Sequence, residues 1–227
     1  MTNKKSLILD CDGVLYPTSQ LELKEFVTAT ERASKSFGIT EQQYLAASKR
    51  AKDNNAPGLG NFIKEMAEHN EDTLRRLSEA VVANVDYSRI TRDDALLRQI
   101  HNAKKNFDVF IFTNNCKEHL DIILNKRFGT SIKDIGIDCY DVASTEKGGK
   151  FHPKQSEIGL KLFTQKINRH PSQCILIDDA KRNIDCAFAI NMGGILITEE
   201  YNLSKCLKDL SANTPNTLYR HNSQNKR

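Results

Sequence analysis

Short apolar runs that stop abruptly at polar residues punctuate this chain. Leu7-Ile8-Leu9 stops at Asp10, Val109-Phe110-Ile111-Phe112 at Thr113, Cys174-Ile175-Leu176-Ile177 at Asp178, and Ile195-Leu196-Ile197 at Thr198. A weaker run covers Cys139 to Ala143. Runs this short, rich in Ile, Val and Phe and not alternating with polar residues, suit strands buried on both faces. Between them the spacing is helical: His119 to Phe128 with Leu120, Ile123 and Leu124 on one face, Lys154 to Ile167 with Ile158, Leu162 and Phe163, and Lys181 to Ile190. Strand and helix in alternation predict a Rossmann-like α/β fold, a parallel sheet with helices on both faces. Ligands of such sheets sit beyond the carboxyl ends of the strands. The residues that close three runs, Asp10, Thr113 and Asp178-Asp179, are therefore expected on one rim.

One stretch breaks the alternation. Pro17 to about Thr91 carries no convincing strand. Leu23, Phe26, Val27, Ala33 and Phe37 form an amphipathic stripe closed by Gly38, and Thr40 with Gln43 has the form of a capping box. A breaker cluster at Pro57-Gly58-Leu59-Gly60 follows, and helical spacing resumes over Asn61 to Glu68 and Asp72 to Val85. So much helix between a first and a second strand exceeds a crossover, and reads as an all-helical cap inserted into the core. The expected division is an α/β core over 1–16 and 92–205, a cap over 17–91, and a flexible C-terminal tail over 206–227, with almost no large apolar side chains from Ser211 to Arg227.

Composition excludes several classes. Charged residues make up 27% and the apolar set 39% of the 227 residues, a globular balance. No apolar run approaches the ~18 residues that cross a bilayer, and the N-terminal Leu7-Ile8-Leu9 is too short for a secretory signal, so a cytoplasmic location without membrane contact is expected. The net charge of +4 is spread along the chain, which argues against a nucleic-acid polymer as partner. Six cysteines without a CxxC pair or regular spacing read as reduced thiols.

The chemistry concentrates in Asp10-Cys11-Asp12-Gly13. Two carboxylates one residue apart at a strand end repel each other unless a cation or a shared proton intervenes. A hard oxygen-seeking ion such as Mg2+ meets that need. An EF-hand does not fit, because its twelfth position, counted from Asp10, is Leu21. Further along, Thr113-Asn114-Asn115 places a hydroxyl and amides at the second strand end, Asp178-Asp179 adds a second acidic pair, and Lys154 is expected to open the helix between them. Each piece alone has a structural explanation as a turn, a solvated lysine or a helix cap; their order on these elements argues for a site.

This ordered set resembles the haloacid dehalogenase-like superfamily, whose four motifs are DxDGT/V, a strand-end Ser/Thr, a Lys and an acidic pair, and the helical insert is similar to its C1 cap. Asp10 to Pro17 (DCDGVLYP), Asp86-Tyr87-Ser88-Arg89-Ile90, Leu96-Leu97-Arg98 and Asp178-Asp179-Ala180-Lys181-Arg182-Asn183-Ile184 resemble the pyrimidine 5′-nucleotidase branch. The lysine motif departs from the family's usual Lys-Pro: Gln155 follows Lys154 and Pro153 precedes it, and Lys150 is a rival. The family's distances back from Pro171 and Asp179 select Lys154.

The resemblance implies a Mg2+-dependent phosphatase acting on a small phosphorylated metabolite, with a nucleoside 5′-monophosphate favoured, as a monomer or homodimer. Asp10 would be the nucleophile, giving an aspartyl-phosphate. Asp12, held partly protonated by crowding, would be the general acid and base. Thr113 and Asn114 would bind a phosphoryl oxygen, and Lys154 would stabilise negative charge. The metal ligands would be the Asp10 carboxylate, the Asp12 main-chain carbonyl and Asp179, with Asp178 as a further contact. Dehalogenases of the superfamily lack the second aspartate, so Asp12 favours phosphoryl transfer. Lys49, Arg50 and Asn54 are candidate substrate contacts in the cap, with a solvated helix face as the alternative. Two other readings stay open: a phosphomutase of the same superfamily, and a binding module that kept the fold without the activity.

Overall fold

The three central sheet-forming runs are buried on both sides because helices cover both, whereas the run Ile195-Leu196-Ile197, expected to be buried likewise, leaves Leu196 exposed at an edge. In the computed structural model, which describes residues 4–53, 59–68 and 70–212, strand β1 (Ser6–Leu9) sits at the centre of a parallel five-stranded sheet. Next to it lie β2 (Asp108–Phe112) on one side and β6 (Cys174–Asp178) on the other, with β3 (Asp138–Tyr140) and β7 (Gly193–Leu196) at the edges. Leu7, Leu9, Val109, Ile111, Ile175 and Ile177 pack into one apolar cluster, and Ile8, Phe110, Phe112, Cys174 and Leu176 into the other. The period of two along a strand assigns each residue to its face. Each such Leu or Ile contributes about 1.5–3 kcal/mol by leaving water.

The connections are helical. Between β1 and β2 run α1 (Leu23–Ser36), α2 (Glu41–Asp53), α3 (Leu59–Met66), α4 (Glu71–Ala83) and α5 (Asp94–Ala103). α6 (Lys117–Phe128) joins β2 to β3, and a short antiparallel hairpin, β4 (Glu146–Lys147) and β5 (Lys150–Phe151), precedes α7 (Glu157–Lys166). α8 (Lys181–Ala189) joins β6 to β7, and α9 (Leu203–Ala212) follows. The Thr40–Gln43 capping box is present in both directions: the Thr40 N–H donates to Gln43 Oε1 at 2.9 Å and the Gln43 N–H to Thr40 Oγ1 at 3.3 Å. Among the described residues no helix is long and apolar enough to cross a membrane, and all six cysteines are free.

Several expected boundaries and faces differ. Residues 206–212 are not tail but the body of α9, because Cys206, Leu207 and Leu210 bury themselves in the main core; residues 213–227 lie outside the described set. The weak run from Cys139 condenses to the three residues of β3, and a 3-10 turn takes over at Val142. Lys154 does not open a helix, since Ser156 caps α7 by accepting from the Gly159 N–H at 3.0 Å. The buried face of α7 carries Leu160 and Phe163, continuing to Ile167, while Ile158 is exposed. Leu23 and Val27 likewise leave the expected stripe for solvent, and Phe26, Ala29 and Ala33 form the buried face of α1.

Candidate active site

Strand register builds the rim. Leu9 pairs with Ile111 on one side and Ile177 on the other, so Asp10, Phe112 and Asp178 stand level at the carboxyl ends. The Asp10 N–H still joins the sheet, donating to Ile177 O at 2.9 Å, while its carboxylate leaves it. Gly13 then turns the chain at φ +73°, a left-handed conformation that L side chains rarely adopt. It also leaves room, because a Cβ there would stand 2.2 Å from Asp179 Oδ2.

Lys154 reaches the rim from the turn before α7 and has no solvent exposure. Its ammonium contacts Asp10 Oδ1, donates to Phe112 O at 3.0 Å and lies 3.1 Å from Asp178 Oδ2. The ammonium is thus enclosed by two carboxylates and a main-chain oxygen. Asn114 sets the position of this lysine, because its side-chain oxygen accepts from the Lys154 N–H at 2.9 Å and its amide donates to Gln155 Oε1 at 3.0 Å. The rival Lys150 sits on strand β5 of the hairpin instead.

The electrostatics are those of a site rich in negative charge. Burial pushes the Asp10 carboxyl up; the Lys154 ammonium opposes this, and Asp178 and Asp12 add to it. Lys154, although burial works against its charge, is held protonated by Asp10 and Asp178. Asp179 is pushed up to about 6 by burial and by neighbouring Asp178. Asp178 Oδ1 accepts from the Ala180 N–H at 2.9 Å and the Asn183 amide at 2.8 Å, whereas buried Oδ2 takes no aligned hydrogen bond. Carboxylate oxygens of Asp10, Asp178 and Asp179 lie within 4.8 Å of one another. An all-oxygen donor set with surplus negative charge fits a hard divalent cation such as magnesium.

Asp12 is in a different state from the one expected. Burial does raise its carboxyl, but the facing His119 imidazole and hydrogen bonds from Tyr16 and Asn115 outweigh that, and hold it below the ordinary carboxylate range. Crowding by donors keeps it ionised rather than half-protonated. Tyr16 OH and His119 Nε2, the latter at 2.8 Å, meet Oδ1. Asn115 Nδ2 meets Oδ2 at 3.0 Å and Thr113 Oγ1 reaches it at 3.4 Å. The Thr113 hydroxyl also accepts from the Asn115 N–H at 3.0 Å.

Three contributors were not foreseen. His119 is fully buried on the inner face of α6, and its only sequence signal is a polar ring within the stripe of Leu120, Ile123 and Leu124. Tyr16 follows the first motif closely enough to be suspected. Arg127 carries no local signal: its guanidinium donates to Leu15 O at 2.9 Å, Thr91 O at 2.6 Å and Asp93 Oδ2 at 2.8 Å, tying together the two chain crossings into and out of the helical insert. Of the expected insert contacts, Lys49 is exposed, and Arg50 spends its guanidinium on Glu65, donating to Oε2 at 3.0 Å and to the main-chain oxygen at 2.9 Å. Asn54 lies outside the described residues.

A family model described as haloacid dehalogenase-like hydrolase matches residues 4–193. The chain belongs to the haloacid dehalogenase-like hydrolase family. This hydrolase is similar in fold to a hydrolase from Pseudomonas syringae, with 16% identity over 92% of this chain and 98% of that one and a TM-score of 0.56. It is also similar to CbbY from Rhodobacter sphaeroides, solved with xylulose-1,5-bisphosphate, at 14% identity over 88% of each chain and a TM-score of 0.55. A haloacid dehalogenase-like hydrolase from Xanthomonas campestris shares 13% identity over 92% of this chain and 91% of its own, with a TM-score of 0.54. No curated protein matches the sequence. The chain is thus an enzyme, and its assembled residues are consistent with a phosphoric monoester hydrolase.

Proposed function

We propose that this hydrolase is a Mg2+-dependent phosphatase that cleaves small phosphate monoesters through an aspartyl-phosphate on Asp10. The observation that carries the reading is the contact of the Asp10 carboxylate with the buried Lys154 ammonium, beside Asp178 and Asp179, at the end of the central strand. Asp10 and Asp179 carboxylates with the Asp12 main-chain carbonyl would hold the metal, and Asp178 stands beside them. When bound, magnesium supplies positive charge to the phosphoryl oxygens.

The chain's own residues account for the rest. The Asp10 oxygen forms a bond to phosphorus as the ester P–O bond breaks. Lys154 offsets charge on Asp10 and on the transferring group, and favours the ionised nucleophile against the burial that opposes it. Asp12 starts ionised; an arriving dianionic phosphoryl group raises its affinity for a proton through like-charge repulsion, and it takes one up from solvent as the substrate binds. It gives that proton to the leaving oxygen, and later takes one from the water that attacks the aspartyl-phosphate and restores Asp10. Thr113 stands at the same rim to receive a phosphoryl oxygen.

Two features support a nucleoside 5′-monophosphate within this class. One is the likeness of the first motif and the Asp178–Ile184 segment to the pyrimidine 5′-nucleotidase branch. The other is a cavity of about 200 Å³ between insert and core, walled by Phe26, Ile63, Leu74, Val142 and Phe151 and bordered by Asn115. Apolar walls beside the rim suit a planar base, and the insert would act as a cap that excludes water. The test is phosphate release from nucleoside monophosphates, sugar phosphates and p-nitrophenyl phosphate with and without Mg2+. Asp10→Asn is expected to abolish release. Full activity of that variant would overturn the reading, and isomerisation of a hexose phosphate without net release would favour a mutase.

A further inference from the structure

A buried histidine on an apolar helix face usually satisfies its ring by bonding a backbone carbonyl. His119 does not. Its Nε2 lies 2.8 Å from Asp12 Oδ1 and its Nδ1 lies 2.9 Å from the Tyr87 hydroxyl. The Phe26 ring of α1 meets the imidazole edge-on at 5.0 Å, and the Tyr87 ring lies at 5.6 Å. Three parts of the molecule thus converge on one ring: α6, the insert, and the segment that returns from the insert to the core.

The proton positions follow from donor and acceptor chemistry. A carboxylate only accepts, so Nε2 must carry hydrogen. A neutral ring then accepts at Nδ1, with the Tyr87 hydroxyl as donor, whereas an imidazolium would donate from both nitrogens and the hydroxyl would accept. The hydroxyl thereby selects the tautomer that can serve Asp12. Tyr16 shares Oδ1 with His119, while Asn115 and Thr113 take Oδ2, so both oxygens of Asp12 are fixed. We propose that His119 is a positioning residue that aims the Asp12 carboxyl at the leaving oxygen, with Tyr87 fixing the His119 tautomer. The kinetic consequences rest on the phosphatase reading; the tautomer does not.

Leaving-group dependence separates positioning from mere packing. An alkyl phosphate expels a basic alkoxide and needs the proton from Asp12, whereas p-nitrophenolate leaves readily without one. Correctly placed acid catalysis is worth roughly 10²–10⁴-fold, so loss of aim should cost a part of that. His119→Leu is expected to lower kcat/KM, which reports ester cleavage and not the later hydrolysis of the aspartyl-phosphate, about 10–100-fold on glycerol phosphate and no more than about threefold on p-nitrophenyl phosphate. His119→Gln, which returns an N–H to Asp12, is expected to recover most of the loss, and Tyr87→Phe to show a weaker form of it. Equal losses on both esters, or none, would overturn the proposal. Nitrogen-15 spectra of the labelled wild-type imidazole supply a readout free of activity and of variant folding. The Nε2–H tautomer is expected, with a mixture in Tyr87→Phe; an Nδ1–H ring, a doubly protonated ring, or a spectrum indifferent to Tyr87 would overturn the assignment. Should the wild type release phosphate from neither ester, the phosphatase reading falls while these spectra still decide the role of His119.

Discussion

A methyl group on Gly13 would stand 2.2 Å from Oδ2 of Asp179. The first motif and the acidic pair, far apart in sequence, are thus in van der Waals contact, and the glycine is required twice: for its φ of +73° and for the space it leaves. Gly13→Ala is expected to displace Asp179 rather than unfold the chain. Phosphate release should fall at least about 100-fold, with a stability loss of about 1–2 kcal/mol from the left-handed backbone. Steady-state kinetics beside urea denaturation check this; an active variant would show that Asp179 does not need its present position.

Lys154 is fully buried between Asp10 and Asp178. Removing one partner of a buried ionic group leaves uncompensated charge, which costs about 3–5 kcal/mol. Lys154→Met keeps the volume and removes the ammonium. It is expected to lose that much stability in EDTA, to regain part of it with Mg2+, and to release no phosphate. Denaturation curves with and without the metal decide; equal curves for variant and wild type in EDTA would contradict the charge argument.

The strands were legible because a strand buried on both faces writes itself as an unbroken apolar run, as Leu7-Ile8-Leu9 and Cys174 to Ile177 do. Their ends gave the rim, since register carries Asp10 and Asp178 to one level. Helix faces were less legible where the chain offers more apolar residues than one face can bury. On α7 either Ile158 or Leu160 could have led inward, and tertiary packing chose Leu160. The opposite error fell on α9, whose polar surroundings concealed Cys206, Leu207 and Leu210 as core. His119 and Arg127 were invisible for another reason: their partners, Asp12 and Leu15, are more than a hundred residues away.

On the proposed reading, proton and metal would compete for Asp179. Its carboxyl is pushed up to about 6 by burial and by Asp178, from an ordinary unfolded value near 4. The folded, metal-free state therefore binds this proton more tightly than the unfolded one. The stability it contributes is fully present below about pH 4 and is lost as pH rises through about 6. Because Asp179 is part-exposed, the loss should be on the order of 1 kcal/mol after screening. Magnesium reverses the trend, since it needs the ionised form. Apparent Mg2+ affinity is expected to strengthen from pH 5 to 7 and then level off, as titration calorimetry would read. Asp179→Asn should abolish that rise; affinity independent of pH over this range would exclude Asp179 as a ligand.

Asn61 and Lys64 of the helical insert hold the hairpin that precedes Lys154. Asn61 of α3 donates to Phe151 O at 2.9 Å and accepts from the Phe151 N–H at 3.0 Å, three residues before Lys154. Lys64, one turn on, pairs with Glu146 at 2.9 Å and lies 4.3 Å from the centre of the Phe151 ring. Lys64 is buried but Glu146 is exposed, which limits what the pair contributes, whereas a buried amide that loses its partner costs about 1–3 kcal/mol per group. Asn61→Ala should therefore destabilise by about 2–4 kcal/mol, and Lys64→Ala by less than about 1.5 kcal/mol. The Phe151 amide should exchange with deuterium faster in Asn61→Ala while amides of β1 keep their protection. Unchanged exchange at Phe151 would mean that the hairpin holds its place without the insert.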